Sequence, residues 1–354
     1  MSHAYQAVGW NRQKEVYDKT LATAVSAYLF VFLAVSFVTH PLATIETRLI
    51  RGFGTAAFLL LHVILSIGPL CRLEPRFLPL LYNRRHMGVT MFVLALAHGG
   101  FSLMQFHAFG DLNPFVSVLV SNPRVDSVAH FPFQPMGLAA LVILFLMAAT
   151  SHDFWLANLS SPVWKGLHMM VYAAYALLIG HVSLGILQAE TSPVLAGVLG
   201  AGMVWIVGLH AVSALRGRDA DRERDPACVD DAGFVAVCDV AEIEDCRAQI
   251  VTLGGERIAI FRYDGKVSAI SNVCQHQNGP LGEGRIIDGC VTCPWHGFQY
   301  EPDTGASPPP FTEKVPTFRV KVVDGTVYLD ARPNPPGTRV EPARIEDDAS
   351  EATS

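Results

Sequence analysis

Six long apolar runs dominate the first part of the chain, at about 21–39, 53–70, 88–106, 136–151, 166–187 and 193–215. Almost no Asp, Glu, Lys or Arg falls inside them. A helix rises about 1.5 Å per residue, so crossing a hydrocarbon core about 30 Å thick takes roughly 20 apolar residues. The pattern predicts an all-α, six-helix transmembrane bundle over 21–215, the fourth run being the shortest. Buried helices of a soluble protein are the alternative. Runs this poor in charge are hard to place in a water-soluble core.

Beyond residue 231 the period changes. Phe234–Cys238, Ala248–Leu253, Arg257–Tyr263 and Lys266–Ser271 are short, alternating or β-rich, and predict strands. Asp264-Gly265 marks one hairpin, and Asp324-Gly325 marks another between Phe318–Val323 and Thr326–Leu329. An all-β domain is expected over 232–331. Residues 1–20 form an N-terminal segment with Trp10 and Tyr17 as candidate interface anchors. The charged stretch 216–231 is read as a linker whose basic half suits a membrane surface. Residues 332–354, Pro-rich and then acidic, are expected to be a disordered tail.

Charge sharpens this picture. The net charge of −6 argues against nucleic-acid binding. With the N-terminus inside, the inner segments hold 12 Lys and Arg and the outer loops only Arg48, Arg51 and Arg124. Both termini and the β domain are therefore expected in the cytoplasm of a multi-pass protein of the cell (inner) membrane. The mixed N-terminal segment and long first run do not fit a secretory signal. The outer segment 107–135 is open to two readings, a cover over a substrate or quinone site and an inert loop.

The chemistry centres on Cys274-Gln275-His276 and Cys293-Pro294-Trp295-His296. One Cys and one His on each of two loops suit a [2Fe–2S] centre in which two thiolates hold one iron and two imidazoles the other. A Cys2His2 zinc site is the alternative, but zinc fingers pair Cys with Cys and His with His. Asn278-Gly279-Pro280-Leu281-Gly282-Glu283-Gly284 follows the first pair and Gly297-Phe298-Gln299-Tyr300 the second. These boxes resemble those of Rieske ferredoxins over about 232–330. The resemblance implies Cys274, His276, Cys293 and His296 as cluster ligands, with the His pair at the exposed tip. Gly279 and Trp295 stand where high-potential Rieske proteins carry a disulfide, and Phe298 where they carry a Ser; Tyr300 is kept. Fewer hydrogen bonds to the cluster sulfurs imply a lower potential. Cys71, Cys228, Cys238, Cys246 and Cys290 show no framework spacing and are read as thiols, Cys290 as a small hydrophobe in a strand.

Histidines are frequent in or beside the apolar runs, and ionisable residues there are functional candidates. Arg84-Arg85-His86-Met87-Gly88 leads to His98, and Trp164-x-x-x-His168-Met169-Met170-Val171-Tyr172 leads to His181. This resembles the ferric-reductase-like transmembrane domain, in particular the haem membrane subunit serving bacterial methionine-sulfoxide reductase, over about 50–190. It implies b-type haem, one or two, with His98, His168 and His181 as ligands. His98 lies 12 residues beyond His86, and His181 lies 13 beyond His168. At about 1.5 Å per residue each step spans about 18–20 Å. His98 with His181 would hold one haem, and His86 with His168 a second. Thirteen residues is not a whole number of turns, so one ideal helix would not put both of its His on one face. His62, mid-run, is a further candidate and an alternative partner for His168.

No flavin or nicotinamide domain and no oxygenase domain is visible. The expected role is transmembrane electron transfer between a cytoplasmic cluster and haem in the membrane. The donor and acceptor would be a reductase, a quinone or a redox protein. The rival is a membrane-tethered Rieske ferredoxin whose helices bind no haem and only anchor and dock a partner.

Overall fold

The computed structural model describes residues 12–81, 83–159, 161–189, 193–221, 233–276, 279–294, 297–309 and 311–345. Contacts divide the chain into two units: Trp10–Leu70 with Asn83–Ala211, and a second that holds the β strands.

The first unit is helical throughout. Its elements are α1 (Arg12–Thr39), α2 (Ile45–Leu73), α3 (Arg84–His107), α4 (Pro114–Val120), α5 (Gln134–Ala149), α6 (Asp153–Asn158), α7 (Ser161–Met169), α8 (Val171–Ala189) and α9 (Pro193–Asp221). Among the described residues, five stretches are long and apolar enough to cross a membrane, and α5, at 16 residues, is shorter. The six expected spans are thus present as apolar segments, but the helix count differs. The fifth span breaks at Met170 into α7 and α8, and the short α4 and α6 lie in connections that the sequence left unassigned. The break removes the one-helix face problem, because His168 and His181 sit on different helices. Asn113 caps α4, its side chain accepting from the Phe115 N–H at 3.0 Å with Pro114 at the first turn. A core of Leu61, Met91, Ala140, Leu144, Ala174 and Tyr175 ties α2, α3, α5 and α8 together. Phe30, Val38 and Val204 point outward and are exposed. An apolar outer face suits a lipid solvent. The chain is a multi-pass membrane protein.

The second unit contains β1 (Phe234–Asp239), β2 (Ala248–Leu253), β3 (Glu256–Tyr263), β4 (Lys266–Ser271), β5 (Arg285–Ile287), β6 (Cys290–Thr292), β7 (Gln299–Tyr300), β8 (Thr317–Phe318), β9 (Val320–Val323), β10 (Thr326–Asp330) and β11 (Ala343–Arg344). They form three antiparallel sheets: β1-β10-β9, β11-β4-β3-β2 with β8 also on β4, and β5-β6-β7. The two expected hairpins are present, with Asp264-Gly265 and Asp324-Gly325 all at positive φ. Asp288-Gly289 makes a third of the same kind, joining β5 to β6. Val237, Ile243, Ile258, Ile260, Phe318 and Val327 fill one core; Ala259, Phe261, Ile270, Leu281 and Tyr300 belong to a second that contains Cys274 and Cys293. Cys290 opens β6 but is only half-buried. Cys228 lies outside the described residues.

The tail expected to be disordered is ordered as far as Ile345. Asn334 donates to the Thr317 carbonyl at 3.0 Å, the Val340 N–H to the Asp303 carbonyl at 2.8 Å, and β11 pairs with β4. Composition does not show this, because the segment's partners, Thr317, Asp303 and β4, are supplied by the folded β unit and not by the segment itself.

Asp330 ends β10 in a buried position. Burial pushes its carboxyl up, but Arg332 donates three hydrogen bonds of 2.9–3.1 Å and Arg319 pairs with it, holding it at about 2. An unfolded Asp titrates at about 3.9. The folded value is the lower one, so this stabilisation is complete above about pH 4 and is lost as pH falls towards 2. Asp330→Asn should lower stability to urea at neutral pH by about 1–3 kcal/mol. The gap from wild type should narrow below about pH 4.

Candidate functional site

Two loops between strands carry the cysteine motif. The first, between β4 and β5, is pinned at both ends: the Cys274 N–H donates to the Gly279 carbonyl at 2.9 Å and the Gly282 N–H to Asn272 Oδ1 at 2.7 Å. Gly284 passes so close to β6 that a Cβ would lie 2.1 Å from the Thr292 carbonyl oxygen. The second loop, between β6 and β7, turns tightly. The Gly297 N–H donates to the Cys293 carbonyl at 2.9 Å, with Gly297 at φ 71°. Cys274 and Cys293 are both buried and share one core. His276 is half-buried, and its ring stacks on Phe298 at 4.8 Å and 9°. Phe298 in turn meets Phe311 at 4.9 Å, which sets a second aromatic ring beside the site. His296 lies outside the described residues. Two buried thiols beside an imidazole, in a wall of aromatic and aliphatic groups, fit a [2Fe–2S] cluster.

Tyr300 bridges the loops. Its hydroxyl accepts from the Gln275 N–H at 3.0 Å and lies 3.4 Å from Cys274 Sγ, to which it would donate its proton when that sulfur is a cluster thiolate. Burial, with the Cys274 sulfur adding to it, pushes the phenol above its ordinary range and keeps that proton in place. Tyr300→Phe should lower the cluster potential, because reduction adds negative charge to sulfur and strengthens the bond. The drop is about 59 mV for each ~1.4 kcal/mol of that strengthening, read by redox titration.

The helical unit brings together two of the histidines that the sequence singles out. His98 on α3 and His181 on α8 face each other with ring centroids 6.1 Å apart and planes at 85°. His98 Nδ1 donates to the Ile50 carbonyl on α2 at 2.9 Å, and His181 Nδ1 to the Phe133 carbonyl at the foot of α5 at 3.0 Å. Those bonds fix the tautomer, so each Nε2 carries the lone pair. Glycine backs each ring. A Cβ at Gly54 would stand 2.7 Å from His98 Nδ1, and one at Gly137 would stand 2.7 Å from His181 Nδ1. An imidazole centroid is roughly 1.1 Å from its nitrogen and a His–metal bond about 2 Å, so two axial imidazoles on one metal sit about 6 Å apart. The His98–His181 pair fits a bis-His haem.

The other candidates are placed differently. His168 on α7 donates from Nδ1 to the Trp164 carbonyl at 3.0 Å and stacks on Trp164 at 3.8 Å. Its Nε2 meets Ser151 Oγ at 3.3 Å, but that hydroxyl makes a shorter bond of 2.8 Å to the Met147 carbonyl, so Nε2 keeps its lone pair. His86, at the start of α3, is bonded through Nδ1 to Asp18 Oδ2 at 2.8 Å. His62 is engaged at both nitrogens, by the Phe58 carbonyl at 2.9 Å and the Tyr175 hydroxyl at 3.1 Å. The Tyr175 hydroxyl donates to the nitrogen that a metal would need, so His62 presents no lone pair in this arrangement. Sequence reasoning missed Tyr175, Gly54, Gly137 and Asp18, because each acts across helices and carries no local motif.

Residues 233–319 match the Rieske [2Fe-2S] domain family. Over 78 residues the chain is 39% identical to the anthranilate 1,2-dioxygenase ferredoxin subunit of Burkholderia cepacia, a match covering 22% of this chain and 72% of that one. The chain belongs to the Rieske [2Fe–2S] family. Within the same Rieske protein, residues 51–179 match the ferric reductase like transmembrane component. The 3-phenylpropionate/cinnamic acid dioxygenase ferredoxin subunit of Photorhabdus laumondii is 37% identical over 95 residues, covering 26% of this chain and 90% of that one. Cholesterol 7-desaturase nvd 1 of Ciona intestinalis is 35% identical over 88 residues, but the match spans only 24% of this chain and 19% of that protein. This Rieske protein therefore joins a cluster-binding electron-transfer domain to a ferric-reductase-like membrane domain.

Proposed function

We propose that the protein passes electrons across a membrane between a cytoplasmic [2Fe–2S] cluster and b-type haem. Cys274 and Cys293 hold the buried iron, and His276 and His296 the iron nearer the surface. His98 and His181 hold one haem; His86 and His168 hold a second at the arginine-bearing end of the bundle. When bound, these groups supply one-electron redox chemistry, and the protein sets their spacing and potentials. Tyr300 steadies the sulfur of Cys274. Ile50 and Phe133 orient the two facing imidazoles, and the apolar core around them excludes water. The excess of Lys and Arg on one side supports a cytoplasmic position for that end and for the Rieske domain. Donor and acceptor are a reductase, a quinone or a second redox protein.

The observation that carries this reading is the facing His98–His181 pair, 6.1 Å apart with both Nδ1 atoms tied to carbonyls. The test is the protein purified from haem-replete membranes. Pyridine-haemochrome spectra should give one or two protohaems per chain, alongside the non-haem iron of one cluster. A cluster without haem would overturn the reading and leave a Rieske ferredoxin tethered by its helices.

A further inference from the structure

The connection between α3 and α5 contains a helix that is apolar on the side facing away from the protein. α4 reads Pro114-Phe115-Val116-Ser117-Val118-Leu119-Val120 and holds no charged residue. Its inner side is anchored. Val118 is buried, and Ser117 Oγ lies 2.9 Å from Nδ1 of His107, itself buried at the end of α3. Its outer side carries Phe115, Val116, Leu119 and Val120, all exposed. That i, i+1, i+4, i+5 spacing makes one stripe along the helix. Phe109 and Leu112, in the approach to α4, are exposed as well. In water such a patch would stand uncovered, which soluble surfaces avoid.

The surroundings of the stripe identify what covers it. α4 packs on both α3 and α5. Met104 and Phe106 in the last turns of α3, and Val142 and Phe145 on α5, are exposed and apolar. They belong to the outer face of the bundle, where lipid is the solvent, and α4 extends that face. The charged residues of the connection stand outside α4, Asp111 before it and Arg124 and Asp126 after it, all exposed.

The length of α5 gives an independent reason. Its 16 residues reach about 24 Å, about 6 Å short of a hydrocarbon core about 30 Å thick. Polar residues follow it at once, Thr150-Ser151-His152-Asp153, whereas Phe131-Pro132-Phe133 precede it. The missing depth therefore falls on the α4 side. Backbone placed there must find its partners within the protein. Asn113 Oδ1 accepts from the Phe115 N–H at 3.0 Å. Asn122 serves two groups beyond α4, donating to the His130 carbonyl at 2.9 Å and accepting from the Arg124 N–H at 3.2 Å.

We propose that α4 is seated in the hydrocarbon layer, with its Phe115–Leu119 face against lipid tails. The connection is then part of the membrane-embedded bundle and not a loop in water. It ends at Phe133, whose carbonyl orients His181, so lipid borders the segment that holds that ring.

The test is two-phase footprinting of the full-length protein in liposomes, read by peptide mass mapping. An apolar aryl diazirine dissolved in the bilayer labels from the lipid side. Hydroxyl radicals generated on both sides of the membrane label from water. Val93 and Leu96 on α3 serve as the lipid-facing reference, and the exposed Val323 on β9 as the water-facing one. The 112–120 peptide should take the diazirine as the α3 reference does and should lose radical oxidation relative to Val323. Oxidation of Phe115 and Leu119 by the radicals, with or without diazirine labelling, would overturn the proposal in favour of a water-facing loop. Labelling from neither phase would also overturn it, because a second copy of the chain would then be the cover. No variant is needed, so misfolding cannot mimic either result.

Discussion

Replacing His181 with Ala is expected to abolish one haem outright, and His98→Ala to abolish the same one. The two rings face each other at 6.1 Å from different helices, so neither has a substitute within its own helix. Difference spectra should show one haem fewer in each single variant and no further loss in the double. The cluster signal should remain, since its ligands belong to the other unit. The more discriminating variant is Gly137→Ala. Its methyl group would stand 2.7 Å from His181 Cε1 and Nδ1, closer than packed atoms tolerate, and would push the ring off its bond to the Phe133 carbonyl. Alanine is the better residue in a helix by about 1 kcal/mol. The helix itself should therefore not weaken, and the expected loss of that haem would report on the ring's position alone. Retention of full haem in G137A together with H181A would remove His181 from the ligand set.

Cys274→Ala and Cys293→Ala should each eliminate the [2Fe–2S] cluster, seen as loss of its visible absorption and of two non-haem irons per chain. Both thiols are buried in the core beneath the loops. Truncation leaves a small cavity there, costing on the order of 1–3 kcal/mol. The larger core of Val237, Ile258, Ile260, Phe318 and Val327 has no part in the site. The β unit should therefore stay folded without its cluster. Haem should persist in both variants, but electron exchange between cluster and haem should be lost. Zinc at one per chain in the wild type, in place of iron, would overturn the cluster assignment.

The sequence determined the class of each part. Apolar runs of span length specify membrane helices whatever they pack against, since lipid solvates their outer faces. Period-two strands with Asp-Gly turns specify a hairpin-rich β domain, because the turn demands positive φ that few residue pairs supply. The Cys-x-His and Cys-x-x-His boxes are local: each loop carries its own ligands, so spacing along the chain already states the chemistry. His98 and His181 were legible as candidates for a related reason, since an ionisable ring in an apolar run needs a use.

Sequence put His98, His181 and His168 ahead of His86 and His62; what each ring touches only the tertiary structure decided. His62 and His98 are equally mid-span, and a glycine backs each, Gly202 the first and Gly54 the second, yet the Tyr175 hydroxyl meets Nε2 of one while the other keeps its lone pair. That difference lies in residues more than forty positions away in sequence, on other helices. The same holds for Asp18 behind His86, for the helix break at Met170 and for the Pro-rich tail that finds a sheet edge. Periodicity reports which face of an element is apolar. Which donor or acceptor waits on the facing element is fixed only when the helices pack, and hydrogen bonds, with their short range and strict angles, then decide what each imidazole can do.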